Sequence, residues 1–146
     1  MKRKITIIFL LVLLVIQFFH PKKNVSSEIM ATDITKVTNV PQDVQQILQV
    51  ACYDCHSNNT RYPWYSKIQP VSWWLNRHIN NGKRHLNFSD FGSYTDKKAR
   101  HKLEEVVETL EKDEMPLFSY TLVHRDAKLT AAQKSAVINW AKTALP

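Results

Sequence analysis

Both cysteines of the 146-residue chain fall within one stretch of five residues, Cys52-Tyr53-Asp54-Cys55-His56. The C-x-x-C-H spacing is the attachment signature of a covalently bound c-type haem. Two thiols add across the two porphyrin vinyl groups only where a short turn brings both to one edge of the ring, and His56 then lies beneath the iron as proximal ligand. A porphyrin buried in so small a chain would itself become a large part of the apolar core.

Three other readings of the cysteine pair are weaker. A thioredoxin-like redox pair should follow a strand in an α/β pattern, whereas helical periodicity surrounds this one. Structural zinc needs four ligands and would have to recruit distant histidines, since there is no second cysteine pair. A disulfide between residues so close would constrain the unfolded chain very little.

Lys2-Arg3-Lys4 precedes an apolar run from Ile5 to Phe19, broken only by Thr6 and Gln17 and closed by Pro21-Lys22-Lys23. Residues 1–23 therefore read as an export signal whose basic end stays in the cytoplasm. The run is a little short of the roughly 20 residues that span a bilayer. No Ala-x-Ala cleavage site follows it, and Val25-Ser26-Ser27 is a distant substitute. The expectation is an uncleaved N-terminal anchor, with a removed signal peptide as the alternative. Either places the remaining chain on the periplasmic side of the inner membrane.

The net charge of +7 comes from 20 basic and 13 acidic residues, but residues 1–23 hold five of the basic ones and no acidic one. The remainder carries 15 minus 13, or +2, so the composition gives no support for nucleic-acid binding. Residues 24–40 show no usable period and read as a flexible tether. Residues 41–146 suffice for one small domain.

Within that domain Asn39 is expected to cap a helix with Pro41 at its first position and Val44, Ile47, Leu48 and Ala51 on one face, running directly into Cys52. Ser72 offers a cap for a second helix that should stop at Gly82. Thr95 or Asp96 opens a third, with Ala99, Leu103, Val106, Val107 and Leu110 at helical spacing. Thr130 and Gln133 form a capping box for a last helix, whose apolar face is Ala136, Val137, Trp140, Ala141 and Ala144. No segment alternates with period two, so the domain is expected to be all-α, a small cytochrome c-like fold in which the first and last helices cross.

The sixth iron position decides between electron carriage and ligand chemistry. Met115, followed by Pro116 in a loop between two expected helices, is the leading distal ligand, so His56 and Met115 form the expected metal pair. His78 is the rival, although a lone histidine on a helix more often packs or bonds a propionate. Trp64, Tyr65, Trp73 and Trp74 are expected to wall the porphyrin or to form the core. Arg61, Lys67 and Arg77 are candidate propionate partners. His85 and His101 read as solvated, and His124 as a structural hydrogen-bonding residue.

Joined in order, several motifs resemble the bacterial haem-binding domain family of small exported proteins with a single C-x-x-C-H. They are Cys52 to Ser57, Thr60-Arg61-Tyr62-Pro63-Trp64-Tyr65-Ser66, Pro70-Val71-Ser72-Trp73 with His78 and Gly82, Leu86-Asn87-Phe88-Ser89, and Met115-Pro116 with Tyr120, His124, Ala127, Leu129 and Trp140. The family pattern often has tryptophan where Tyr62 stands. The resemblance implies haem binding in a cytochrome c-like setting. Its pattern includes both His78 and Met115, so it leaves the sixth ligand and the redox partner open.

The expectation is therefore a membrane-tethered periplasmic monohaem cytochrome carrying single electrons to or from periplasmic or membrane redox proteins, without catalysis of its own. The alternative is a haem sensor or peroxidase-like module with an open or labile sixth site.

Overall fold

The computed structural model describes residues 1–26 and 28–144. Ser27, part of the substitute cleavage site, and the last two residues of the expected domain lie outside the described residues. All regular structure among them is helical, as expected. Eight α-helices follow in order: α1 Lys2–Ile16, α2 Ile34–Val37, α3 Gln42–Ala51, α4 Tyr53–His56, α5 Val71–His85, α6 Asp96–Glu111, α7 Phe118–Thr121 and α8 Ala131–Thr143. Short 3-10 turns lie at Trp64–Lys67, Phe88–Ser93 and Arg125–Ala127.

The core is built by the apolar stripes read from the periodicity. Val44 and Leu48 of α3, Ala99, Leu103 and Leu110 of α6, and Val137, Trp140 and Ala141 of α8 are buried in one cluster. Helix α8 packs on both α3 and α6, so the first and last helices of the domain are in contact. The Trp140 indole N–H donates to the Asn39 carbonyl at 3.1 Å, which satisfies the one polar atom of an otherwise buried ring.

Capping follows the sequence in two of four places. Thr130 accepts from the Gln133 N–H while the Gln133 side chain accepts from the Thr130 N–H, completing the capping box. Thr95 caps α6. Helix α3, however, starts at Gln42 with Pro41 in the cap position, because Pro41 is still extended at ψ 147°. Ser72 is buried inside α5 rather than capping it. That helix also continues through Gly82 to His85, and no glycine takes a positive φ.

Several residues of the stretch expected as a tether are engaged with the domain. Ile34, fully buried, opens α2 against the Phe88–Ser93 turn, with Asp33 as its cap. Asn24 donates through its side-chain amide to the Ser57 carbonyl and the Thr60 hydroxyl at 2.8 and 2.9 Å. Single aliphatic residues set among polar ones have no period to read; Ile34 is buried once the helices are placed, whereas Val25, Ile29 and Val37 stay exposed. Helix α1 buries no side chain. Among the described residues no helix is long and apolar enough to cross a membrane.

Candidate functional site

Helix α3 delivers the chain into the motif, where Cys52 breaks the helix at φ −126° and α4 adds a single turn through His56. That turn places Cys52, Cys55 and His56 on one wall of a cavity of about 500 Å³, within the roughly 300–1,000 Å³ of ordinary ligand pockets. Leu48, Phe88, Val106, Leu110, Leu129 and Val137 supply apolar walls. His78, Asn81 and His85 of α5 line another side, and Met115, Pro116 and Leu117 enter from the loop after α6. Five of the expected site residues, Cys52, Cys55, His56, His78 and Met115, thus converge on one space.

Burial holds the His56 pKa below its usual value, so the ring is neutral at pH 7. Its Nδ1–H donates to the Leu86 carbonyl at 3.0 Å, leaving the lone pair on Nε2, the tautomer a metal-binding imidazole needs. Phe88 packs edge-on to the His56 ring and stacks on Tyr53, fixing the plane of the imidazole.

The thiols are free, and burial is the main reason that Cys52 is pushed up to about 12 and Cys55 to about 11. A redox-active C-x-x-C pair needs a lowered thiol pKa, so the environment is opposite to that of a thiol oxidoreductase. Among the described residues no group of three or more His, Cys, Asp or Glu side chains is arranged to hold a metal ion by itself, which disfavours the zinc reading. The donor set on the cavity is two thiols, a neutral imidazole and a thioether within apolar walls, and it fits a covalently held haem.

Gly82 explains how α5 approaches the motif. A Cβ built there would lie 2.5 Å from the Cys55 carbonyl oxygen and 3.1 Å from the Cys55 Cβ. The glycine serves close helix contact and not a helix stop. Exposed Gly→Ala changes within helices stabilise by about 1 kcal/mol. Gly82→Ala is expected to do the reverse, lowering stability by about 1–3 kcal/mol as α5 is pushed off the motif. The midpoint of urea unfolding checks the sign.

Asp54, the middle of the motif, is 5% exposed. Its Oδ1 accepts from the Arg61 backbone N–H at 3.0 Å and its Oδ2 from the Tyr120 hydroxyl at 2.7 Å. Burial and then the bond to Asp54 push the Tyr120 pKa above its usual value, keeping the hydroxyl protonated as a donor. Tyr120 also lines the cavity and lies just beyond the loop that carries Met115, so this bond ties that loop to the motif. Tyr120→Phe, which strands a buried carboxylate oxygen, is expected to cost about 1.5–3 kcal/mol. Arg61→Ala should cost about 0–1 kcal/mol, since the Arg61 side chain is mostly exposed. Urea unfolding of both variants tests the ranking.

The loop itself is set by the end of α6. Asp113 adopts a left-handed conformation at φ 57°, while the Glu114 N–H reaches the Thr109 carbonyl at 2.9 Å and the Asp113 N–H that of Leu110 at 3.3 Å. This six-to-one closure turns the chain back towards the cavity at Met115.

The expected aromatic wall is elsewhere. Trp64, Tyr65 and Trp73 do not line the cavity. Trp64 is 75% exposed, and Trp73 donates to the Phe19 carbonyl. The Tyr65 hydroxyl pairs with His124 Nε2 at 2.6 Å, the structural role expected of that histidine. Proline at 63 and 70 confines these aromatics to a turn and the start of α5, outside the apolar stripes that form the walls. Arg61, Lys67 and Arg77 are likewise absent from the lining, and the basic side chain on the wall is Lys102, paired with Glu105 at 2.6 Å. Asp54, Gly82, Lys102 and the Leu86 carbonyl were not predicted as site elements. A carboxylate inside the motif with an arginine seven residues on was a readable signal for the first of these.

A family model described as a haem-binding domain matches residues 11–143 of this chain. No curated protein and no solved structure matches it.

Proposed function

The chain belongs to the haem-binding domain family, and we propose that it is a monohaem c-type cytochrome that carries single electrons on the periplasmic side of the inner membrane, held there by its N-terminal segment. Bound haem supplies a one-electron Fe(III)/Fe(II) couple. In this reading Cys52 and Cys55 hold the porphyrin edge by thioethers and His56 is the proximal ligand, its ring oriented by the Leu86 carbonyl. Met115 is the distal ligand. A soft neutral donor favours Fe(II) and raises the potential relative to a second histidine. The protein would exchange electrons with periplasmic or membrane redox proteins and catalyse no bond chemistry itself.

The observation that carries this reading is the convergence of two thiols, a tautomer-fixed imidazole and a thioether on one apolar cavity. The apolar walls would exclude water from the iron, which further supports a raised potential.

A second reading, a sensor or peroxidase-like module, draws on His78, which lines the same cavity as Met115. Two donors within reach of one position would make the sixth ligand exchangeable. Optical spectra of the protein matured with haem, oxidised, reduced, and reduced under carbon monoxide, separate the two. A low-spin spectrum with the near-infrared band of methionine-ligated ferric haem, unmoved by carbon monoxide, is the expected result. A high-spin spectrum, or an immediate shift with carbon monoxide, would favour the second reading.

A further inference from the structure

The apolar run that begins in α1 does not end where the helix does. Phe18 and Phe19 follow it, both exposed, and the backbone there is bonded to the domain. Gln17 exchanges two hydrogen bonds with the Gln69 backbone, at 3.0 and 3.2 Å. The Phe19 carbonyl accepts from the Gln69 side chain at 2.6 Å and from the Trp73 indole at 2.9 Å. His20 Nε2 meets the Lys67 carbonyl at 3.1 Å. Five contacts over four residues make this junction a fixed joint and not a swivel.

Two properties of the surface around the joint point to the same partner. Ile68 and Trp73 remain 44% and 41% exposed beside Phe18 and Phe19, so apolar surface continues from α1 onto the domain. Tryptophan with an apolar body and a satisfied N–H is the side chain that settles at a lipid–water boundary. The segment that carries this surface is also basic. From Cys55 to Ser89 the chain has five basic residues and no acidic one, while Lys22 and Lys23 add two more at the joint. Lys67 and Arg77 are exposed on this side. After Ser89 nine acidic residues are matched by nine basic ones, so the excess positive charge of the domain lies in the earlier segment. Basic side chains framing an apolar and aromatic patch complement anionic lipid headgroups.

We propose that the face formed by Phe18, Phe19, Ile68 and Trp73, framed by Lys67 and Arg77, lies against an anionic lipid surface and holds the haem cavity in one orientation above the membrane. The inference rests on the reading of the N-terminal segment as a membrane anchor and adds that the domain itself is seated on the bilayer.

The test uses the full-length haem-loaded protein, whose native thiols are consumed by the thioethers, with one nitroxide label on Ile68→Cys or on Glu104→Cys of α6. Vesicles are phosphatidylcholine with phosphatidylglycerol. The label at 68 is expected to be accessible to oxygen and shielded from a water-soluble nickel chelate, and the label at 104 to show the reverse. Removing phosphatidylglycerol should raise nickel access at 68, and an unchanged value would overturn the anionic-surface proposal. If the protein floats with the vesicles but the two labels are equally wet, the anchor stands and the seating is wrong. If it does not float at all, the anchor reading fails and the inference falls with it.

Discussion

Replacing Cys52 and Cys55 together by serine is expected to abolish covalent haem, so that acid extraction removes all colour from the variant and none from the parent protein. The two thiols share a wall of the cavity with His56, which makes simultaneous attachment to one porphyrin edge feasible. The loss should extend to stability. A ligand held only by the folded state stabilises it by mass action, and covalent attachment prevents its dissociation on dilution. In the variant a porphyrin bound through His56 alone would leave on dilution, and the denaturation midpoint should become dependent on added haem. A double-serine protein that kept its haem stoichiometry after extraction would sink the covalent assignment. The protonated state of the free thiols, imposed mainly by burial, already argues against a cycling dithiol.

Met115→Ala is expected to open the iron. The reduced variant should bind carbon monoxide at once, and the near-infrared band of the ferric form should vanish. The potential should fall by on the order of 0.1 V, a fraction of the roughly 0.8 V that axial ligation spans. His78→Ala is the matched control, because both side chains line the same cavity. It should leave the axial field nearly unchanged, and its measurable consequence should be confined to packing against Trp74, whose ring centroid lies 4.3 Å away. Were the two variants to exchange behaviours, His78 would be the distal ligand and the potential would have to be explained by two imidazoles. Tyr120→Phe falls between them: it keeps the thioether but frees the loop from Asp54. A partial gain of carbon monoxide binding there would show that the loop anchor helps hold the sixth position.

The helices around the motif were legible because their stripes are long and regular. Val44, Leu48, Leu103, Leu110, Val137 and Trp140 are buried where the periodicity placed them. The capping box at Thr130 was legible for the same local reason, since its two partners are three residues apart. Readings that failed depended on contacts far along the chain. Gly82 resembled a helix stop, yet its neighbour is Cys55, 27 residues earlier, and only the crossing of α4 and α5 reveals why a side chain is excluded. Trp64 and Trp73 resembled haem walls because aromatic residues near such a motif are good packing material. Trp64 instead sits on a turn that packs on α5, and Trp73, within α5, donates to the Phe19 carbonyl at the joint.

The sequence by itself determined the all-helical class, the covalent haem signature and the set of donors, because each is a property of spacing over a few residues. Tertiary structure decided which donors share a cavity, that Asp54 and Tyr120 bind the Met115 loop to the motif, and that Gln17, Phe19, Asn24 and Ile34 are bonded or packed onto the domain. The physical reason is range. Helical periodicity and capping act within one or two turns, whereas a cavity, a buried carboxylate's partners and a docked segment arise only when residues tens of positions apart exclude water from the same place.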